Sequence, residues 1–265
     1  MGFIGQKDPE YPDFELNGKA AMVTGSSRGL GKWMALALAK AGADLVVTYC
    51  NEKEEAETTA AEIRGMGRDC LTVRLDLSDL NSLDQAMAEV ESHYGGLDIL
   101  VNNAGVNRQK DALEVTPQDF DFITSVNLKG AYFCSQAAAK MMIPRGGGKI
   151  INLASAAAFL VRRNITISVY AMTKAGLVML TKALAAEWAT HKINVNALAP
   201  GYFTTPLTAE RLQDPVFRQN VVDSTPWGRV GEAGDIMGAV VYLASSASDF
   251  ITGQTLCIDG GRTVL

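Results

Sequence analysis

Tyr170 and Lys174 stand four residues apart in Tyr170-Ala-Met-Thr-Lys174, the spacing that places two side chains on one face of a helix, one turn apart. Fifteen residues before the tyrosine, Ser155 ends the apolar run Lys149-Ile-Ile-Asn-Leu-Ala-Ser155. A phenol that trades a proton, an ammonium that eases its ionisation and a hydroxyl that donates to an oxygen form a set suited to a carbonyl or carbinol oxygen while a hydride moves at the adjoining carbon. A free tyrosine titrates near pH ~10, too high for an efficient base at neutral pH. A neighbouring ammonium stabilises the phenolate and lowers that value. The chemistry indicated is alcohol–ketone interconversion.

For Ser155 to meet Tyr170, a buried strand must end beside the start of a helix. Apolar, β-branched runs bounded by turn residues predict strands at Ala20–Thr24, Asp44–Tyr49, Cys70–Asp76, Ile99–Asn102, Lys149–Leu153, Asn194–Leu198 and Thr255–Ile258. Helical patterns lie between them at Gly29–Ala41, Glu54–Met66, Leu80–Tyr94, Pro117–Met142, Val169–Thr190 and Ile236–Ala244. This alternation predicts an α/β fold: one doubly wound, Rossmann-type domain with a seven-stranded parallel sheet flanked by helices. It spans residues 16–265 behind an N-terminal extension, 1–15. Pro200 to about Val230 reads as a long irregular segment of the kind that forms lids.

Gly25, Gly29 and Gly31 of Thr24-Gly-Ser-Ser-Arg-Gly-Leu-Gly31 follow a strand and open a helix. In that context bare backbone can approach a pyrophosphate and offer it helix N-terminal N–H groups. With Asn102-Asn-Ala-Gly105, Ser155 and the Tyr170–Lys174 pair in this order, the chain from about Leu16 to Gly261 resembles the short-chain dehydrogenase/reductase family. The resemblance implies an active-site tetrad of Asn127, Ser155, Tyr170 and Lys174. Tyr170 would be the general acid/base, and Lys174 its electrostatic partner and ribose ligand. Ser155 would polarise the substrate oxygen, and Asn127 would hold a water leading from Lys174 to solvent; a buried Asn satisfying backbone is the other reading of Asn127. The positive nicotinamide of an oxidised cofactor would add to the ammonium in lowering the phenol's pKa.

The same resemblance implies a dinucleotide site. Gly25, Ser27, Arg28, Gly29, Leu30 and Gly31 would form the phosphate turn, Tyr49 and Asn51 the end of the second strand, and Asp76 and Leu77 the adenine side. Asn103, Ala104 and Gly105 would line the ribose side, with Pro200, Gly201, Phe203 and Thr205 near the carboxamide. An acidic side chain after the second strand would select NAD. This chain has Thr48-Tyr-Cys-Asn51 there, with no carboxylate before Glu52, and Arg28 stands where NADP-preferring relatives often carry a cation. NADP(H) is therefore favoured, and Cys50, in place of a second Arg, leaves NAD(H) open.

Within the family, Glu187-Trp-Ala, His191-Lys-Ile-Asn-Val-Asn, Pro200-Gly-Tyr-Phe and Pro226-Trp-Gly-Arg229 look most like the gluconate, 2-dehydro-3-deoxygluconate and polyol dehydrogenase branch. A sugar, sugar acid or polyol is the expected substrate. Arg108, just beyond the fourth strand, is the candidate for orienting it beside Ser155 and Tyr170, with Arg162 and Arg163 as further guanidinium donors. The Ser155–Tyr170 interval is two residues longer than is usual in the family, and its Phe159, Leu160, Ile165 and Ile167 pull toward an apolar substrate or a subunit contact. A 3-oxoacyl thioester reductase shares every cofactor motif, and a dinucleotide-binding sensor without turnover would keep the fold.

Composition agrees with a small-molecule enzyme. The 24 Lys and Arg against 29 Asp and Glu leave a net charge of −5 and a pI near 5.2, so no basic footprint for nucleic acid exists. Cys50, Cys70, Cys134 and Cys257 are widely spaced, and neither His93 nor His191 has a ligand cluster, so no metal site is expected. The N-terminal segment lacks a secretory signal, and no stretch reads as a membrane span. The expectation is a cytoplasmic homotetramer with reduced thiols, built through Pro117–Met142, Val169–Thr190 and the last strand.

Overall fold

The computed structural model describes residues 11–264 apart from 164 and 207. Among the described residues seven strands form: β1 (Ala20–Val23), β2 (Asp44–Tyr49), β3 (Cys70–Arg74), β4 (Ile99–Asn102), β5 (Gly148–Leu153), β6 (Ile193–Pro200) and β7 (Thr255–Ile258). Every neighbouring pair is parallel, in the order β3-β2-β1-β4-β5-β6-β7. Parallel strands need long crossovers, supplied by α1 (Gly29–Lys40), α2 (Lys53–Gly65), α3 (Leu80–Tyr94), α4 (Pro117–Thr124), α5 (Ala131–Met142), α6 (Ser168–Trp188) and α9 (Ala233–Ala244). The chain winds outward from β1 to β3, returns to β4 and then winds the other way. Strand order thus reverses between β1 and β4, and ligands of such sheets bind in the crevice at the carboxyl ends beside that reversal.

Side chains alternate between the two faces with a period of two. Ala21, Val23, Leu45, Val47, Ile99 and Val101 pack under α1, α2 and α9, whereas Ala20, Met22, Val46 and Leu100 meet α3, α5 and α6. Burial on both faces is why these strands read as continuous apolar runs. All four cysteines are unpaired, and burial pushes the Cys70 and Cys134 thiols up to about 12.

Several boundaries differ from the sequence reading for local reasons. β3 stops at Arg74 because Asp76 turns to accept bonds from the Ser78 amide and hydroxyl. The single helix expected over Pro117–Met142 is three pieces, α4, a π-helical turn at Ser125–Gly130, and α5. The segment expected to be irregular after Pro200 carries α7 (Ala209–Leu212) and α8 (Pro215–Asp223), with a small core of Leu212, Val221 and Val230. Residues 1–10 of the expected extension lie outside the described residues; at its end, the Ser246 hydroxyl donates to the Asp13 carbonyl at 3.0 Å. The segment Ser168–His191 is long and apolar enough to cross a membrane by length and composition. It nonetheless lies on the sheet, burying Val169, Thr173, Lys174, Leu177, Thr181, Leu184 and Ala185.

The π-turn is held where it ends. A Cβ on Gly130 would sit 2.6 Å from Leu77 Cβ and 2.8 Å from the Leu77 carbonyl oxygen. Gly130→Ala is expected to cost about 1–3 kcal/mol through overpacking, lowering the thermal midpoint by roughly 2–4 °C per kcal/mol. An unchanged midpoint by calorimetry would show that the Leu77 segment yields freely.

Candidate active site

The glycine turn is built by hydrogen bonds that cross from strand to strand. The Ser26 hydroxyl donates to the Val23 carbonyl (2.7 Å) and accepts from the Thr48 amide (3.0 Å), tying the turn to β2. Asn103 Nδ2 donates to the carbonyls of Thr24 (2.7 Å) and Gly25 (2.9 Å), tying it to β4. The approach is so close that a Cβ on Gly31 would stand 2.3 Å from the Gly25 oxygen and 2.4 Å from Asn103 Nδ2. Backbone, not side chain, therefore faces outward where α1 begins, with unsatisfied N–H groups suited to a phosphate.

Above this turn runs a cleft of about 740 Å³ along the β1–β4 crevice. Its walls bring together the sequence-predicted set: the turn from Gly25 to Gly31, Tyr49 and Asn51, Asp76 and Leu77, Asn103 to Gly105, Tyr170 and Lys174, and Pro200, Gly201, Phe203 and Thr205. Its size and its bare-backbone floor fit an extended dinucleotide. Arg28 is not free in it, since its guanidinium pairs with Glu52 (3.2 Å) and Glu55 (3.6 Å). Glu52 itself lines the cleft, so the first carboxylate after β2 lies closer to the cofactor question than its sequence position implies.

The tetrad positions converge from three segments. Ser155 follows β5 and caps a short 3-10 turn, its Oγ accepting from the Ala157 amide at 3.1 Å. Tyr170 and Lys174 lie on α6 with the amine 5.6 Å from the phenol ring centre. Lys174 is 3% exposed and donates from Nζ to the Leu153 carbonyl at 2.6 Å. Burial draws its pKa down to about 8. Burial also raises the Tyr170 phenol, and the Ser155 hydroxyl offsets part of that rise. In the protein alone, desolvation thus outweighs the lowering of the phenol that the Tyr–Lys spacing leads one to expect.

Asn127 occupies the π-turn. Its Oδ1 accepts from the Val106 amide (2.7 Å), while Nδ2 donates to the Val106 carbonyl (2.9 Å) and Thr173 Oγ1 (3.1 Å). It fastens the segment after β4 to the helix that carries the phenol and the amine. Gly105 lies in the same corner, where an added Cβ would be 3.4 Å from Lys174 Nζ.

A second cleft, of about 720 Å³, opens on the other side of the same hydroxyls. Ser155, Tyr170, Pro200 and Gly201 line both clefts, so a serine hydroxyl and a tyrosine phenol stand where the two meet. Arg108 does not enter the second cleft. Asp119 holds its guanidinium at 3.0 Å, and the Phe122 ring lies 4.1 Å below it. Asp119, held well below the usual carboxylate range by Lys110, Thr116 and Arg108, is the reason. Of the other candidates, Arg162 lines the cleft and Arg163 is exposed. Tyr202, Glu210, Arg211, Asp214, Phe217 and Arg262 also line it and are not evident from motifs. Arg262 carries one sequence signal, a charge just past the carboxyl end of the last parallel strand. Among the described residues no cluster of three His, Cys, Asp or Glu side chains could hold a metal ion.

The family model described as enoyl-(acyl carrier protein) reductase matches residues 25–263. The 2-dehydro-3-deoxy-D-gluconate 5-dehydrogenase of Escherichia coli (strain K12) is 43% identical over 249 residues, 94% of this chain and 96% of that protein. A 3-oxoacyl-acyl-carrier-protein reductase of Staphylococcus aureus is 38% identical over 243 residues, 92% of this chain and 97% of its own length. The crystal structure of a gluconate 5-dehydrogenase from Burkholderia cenocepacia J2315, in complex with NADP and tartrate, superposes with a TM-score of 0.91 at 42% identity, covering 96% of this chain and 98% of that one. A parallel sheet of this order, two clefts meeting at a serine and a tyrosine, and matches over nearly its whole length lead to one conclusion: the chain belongs to the short-chain dehydrogenase/reductase family, oxidoreductases acting on CH–OH groups.

Proposed function

We propose that this chain is an NADP(H)-preferring dehydrogenase that interconverts a secondary alcohol and a ketone on a sugar acid, of the gluconate or 2-dehydro-3-deoxygluconate type. The observation that carries the reading is the meeting of the two clefts at Ser155 and Tyr170. The names of the relatives from Escherichia coli and Burkholderia cenocepacia support the substrate class. The apolar Leu160, Ile165, Ile167 and Phe217 of the second cleft favour a second reading, a 3-oxoacyl thioester reductase, as does the Staphylococcus aureus relative. Rates with gluconate, 2-dehydro-3-deoxygluconate and a 3-oxoacyl thioester, each followed through NADPH absorbance, separate the two; preference for the thioester would overturn the first. Exposed Met179, Phe250 and Leu256 on α6 and around β7 support a tetramer.

The residues that would hold the cofactor are those of the first cleft, and when bound it accepts or returns the hydride at the carbinol carbon. The chain's own part is at oxygen. Ser155 donates a hydrogen bond to the substrate oxygen, and Tyr170 takes the proton in oxidation and gives it in reduction. Lys174, charged below its pKa of about 8, stabilises the phenolate across the 5.6 Å that separates it from the ring. Asn127 keeps that helix registered against the loop after β4.

Tyr170→Phe keeps the ring and removes the proton donor, so turnover is expected to fall about 10²–10⁴-fold with cofactor affinity retained. Retention of more than about a tenth of wild-type turnover, in an assay limited by chemistry, would show that another group moves the proton.

Arg28→Ala should weaken NADP(H) on the order of tenfold more than NAD(H), because only the 2′-phosphate offers a charge-assisted contact. The exposed pair with Glu52 is worth at most about 1 kcal/mol, so a phosphate can displace it. Equal losses for both cofactors by fluorescence titration would instead put Arg28 on the shared pyrophosphate.

Oxidation needs the basic form of Tyr170 and reduction the acidic form. Burial raises the phenol in the protein alone, whereas the positive ring of a bound oxidised cofactor would add to the Lys174 ammonium in lowering it. The rate of oxidation should therefore rise with pH through one inflection below the ~10 of free tyrosine, belonging to the coupled pair, and that of reduction should fall as pH rises. Lys174→Met removes the cation, so the inflection should move upward or the rate vanish. A profile in that variant superimposable on wild type would exclude the amine from phenolate stabilisation.

A further inference from the structure

Three guanidiniums that the proposed proton transfer does not use line the second cleft; that of Arg211 stacks on the Phe217 ring at 4.2 Å, while the other two come from distant parts of the chain and meet. Arg162 comes from the loop between Ser155 and Tyr170, and Arg262 from the turn after β7. They converge on Ser224 at the end of α8: Arg162 donates to its carbonyl at 3.3 Å and Arg262 to its hydroxyl at 2.5 Å. Arg262 is 5% exposed and lies over the Tyr202 ring, 4.8 Å from guanidinium carbon to ring centre. Its pKa is pushed down, first by burial and then by Arg162. Among the described residues neither arginine has a carboxylate within ion-pair distance, whereas Arg28, Arg64, Arg108, Arg145 and Arg229 all do. The acid nearest in sequence to Arg262 is Asp259, which is engaged by the amides of Gly261 (3.0 Å) and Thr263 (2.8 Å).

The charge of Asp259 reaches Arg262 without an ion pair, and a buried cation with no carboxylate in contact, beside a second cation, is costly to a fold. An anion shared between the two would remove both the desolvation penalty and the mutual repulsion. A guanidinium takes a carboxylate through two parallel bonds, a geometry an ammonium cannot match. Glu210 and Asp214 on α7 and at the start of α8 line the same cleft, and their oxygens can accept from hydroxyls but repel a carboxylate. The cleft thus offers guanidinium donors for an acid group and carboxylate acceptors for a polyol chain.

We propose that Arg162 and Arg262 form the carboxylate-recognising end of the substrate cleft, holding the acid group of the sugar acid while Ser155 and Tyr170 engage its reacting carbinol. This rests on the sugar-acid reading of the site and assigns to these two residues the anchoring role that sequence gave to Arg108. They discriminate an aldonate from the alditol of the same carbon skeleton, which bears a hydroxymethyl group where the acid has a carboxylate.

The test compares kcat/KM for D-gluconate and D-glucitol in the NADP-loaded enzyme, in wild type and in Arg162→Gln, Arg262→Gln and Arg262→Lys. Each Gln variant should lower the gluconate-to-glucitol ratio about tenfold or more, mostly through the KM of gluconate. Arg262→Lys, which keeps charge and loses the fork, should fall between. A ratio within about twofold of wild type in both Gln variants, or parallel losses on both substrates, would overturn the assignment and leave the dehydrogenase reading intact. Arg262 also donates to the Val221 carbonyl at 3.3 Å, so if Arg262→Gln fails to fold, Arg162→Gln on its half-exposed loop decides. A gluconate titration of the cofactor-loaded protein by thermal shift separates the two levels. Gluconate binding that depends on both arginines, without turnover of any sugar acid, would keep the anchor and sink the proposed function. No gluconate binding at millimolar concentration by wild type would sink the anchor.

Discussion

A lysine amine that has lost nearly all contact with water stays charged only where the protein returns some of the hydration it removed. Lys174 donates one short bond, to the carbonyl of Leu153 at the end of β5, and burial brings its pKa to about 8. That contact, with the bond from Asn127 to Thr173, ties α6 to the sheet in one register. The phenol one turn earlier is then fixed beside the carboxyl end of β5, where Ser155 follows two residues after Leu153. Gly105 and Asn127 close the remaining sides of the amine's corner. Displacement of the helix by one residue would carry the amine away from its carbonyl and the phenol away from the serine together.

The register is reinforced below the site by a polar chain through the middle of an apolar layer. Asn102 Nδ2 on β4 donates to Ser135 Oγ on α5 at 2.8 Å and to Asn152 Oδ1 on β5 at 2.9 Å. Asn152 Nδ2 donates in turn to Thr181 Oγ1 on α6 at 2.9 Å. Buried groups of this kind cost free energy unless paired, so they favour the arrangement in which these bonds close, although Asn102 Oδ1 itself is buried without a partner. Two strands and two helices are thereby fixed relative to one another by direction-dependent bonds, where apolar contact alone would tolerate sliding.

How much was legible in the sequence follows from where the determining forces lie. The glycine turn, the strands and the Tyr170–Lys174 pair are local patterns, since period, turn chemistry and i, i+4 spacing act over a few residues. The π-turn at Ser125–Gly130 was not legible, because it arises from a long-range approach to Leu77 and leaves the apolar periodicity of its neighbours nearly intact. Arg108 and Arg262 show the same limit from opposite sides. Both follow carboxyl ends of strands, yet an acid eleven residues on, Asp119, captures the first, and the second is left facing a cleft. Which cation finds a partner is decided by tertiary placement, which position in the chain does not encode. The phenol's pKa belongs to the same class: spacing identifies the helper amine, but desolvation depends on everything packed around it.

The two clefts are made from different kinds of material, and this bears on how such a chain diversifies. The first is walled by strand ends, the glycine turn and α6, all of which also belong to the main core, so a change there is paid for in folding. The second is walled by the loop after Ser155, by α7 and α8 with their own small cluster, and by the C-terminal turn. Apart from the residues shared with the first cleft, those segments carry none of the bonds of the amine corner or the buried asparagine chain. Substrate choice can therefore drift by mutation while the reaction itself is held constant, and closely similar chains in this lineage can act on unlike alcohols with one unchanged proton-transfer apparatus.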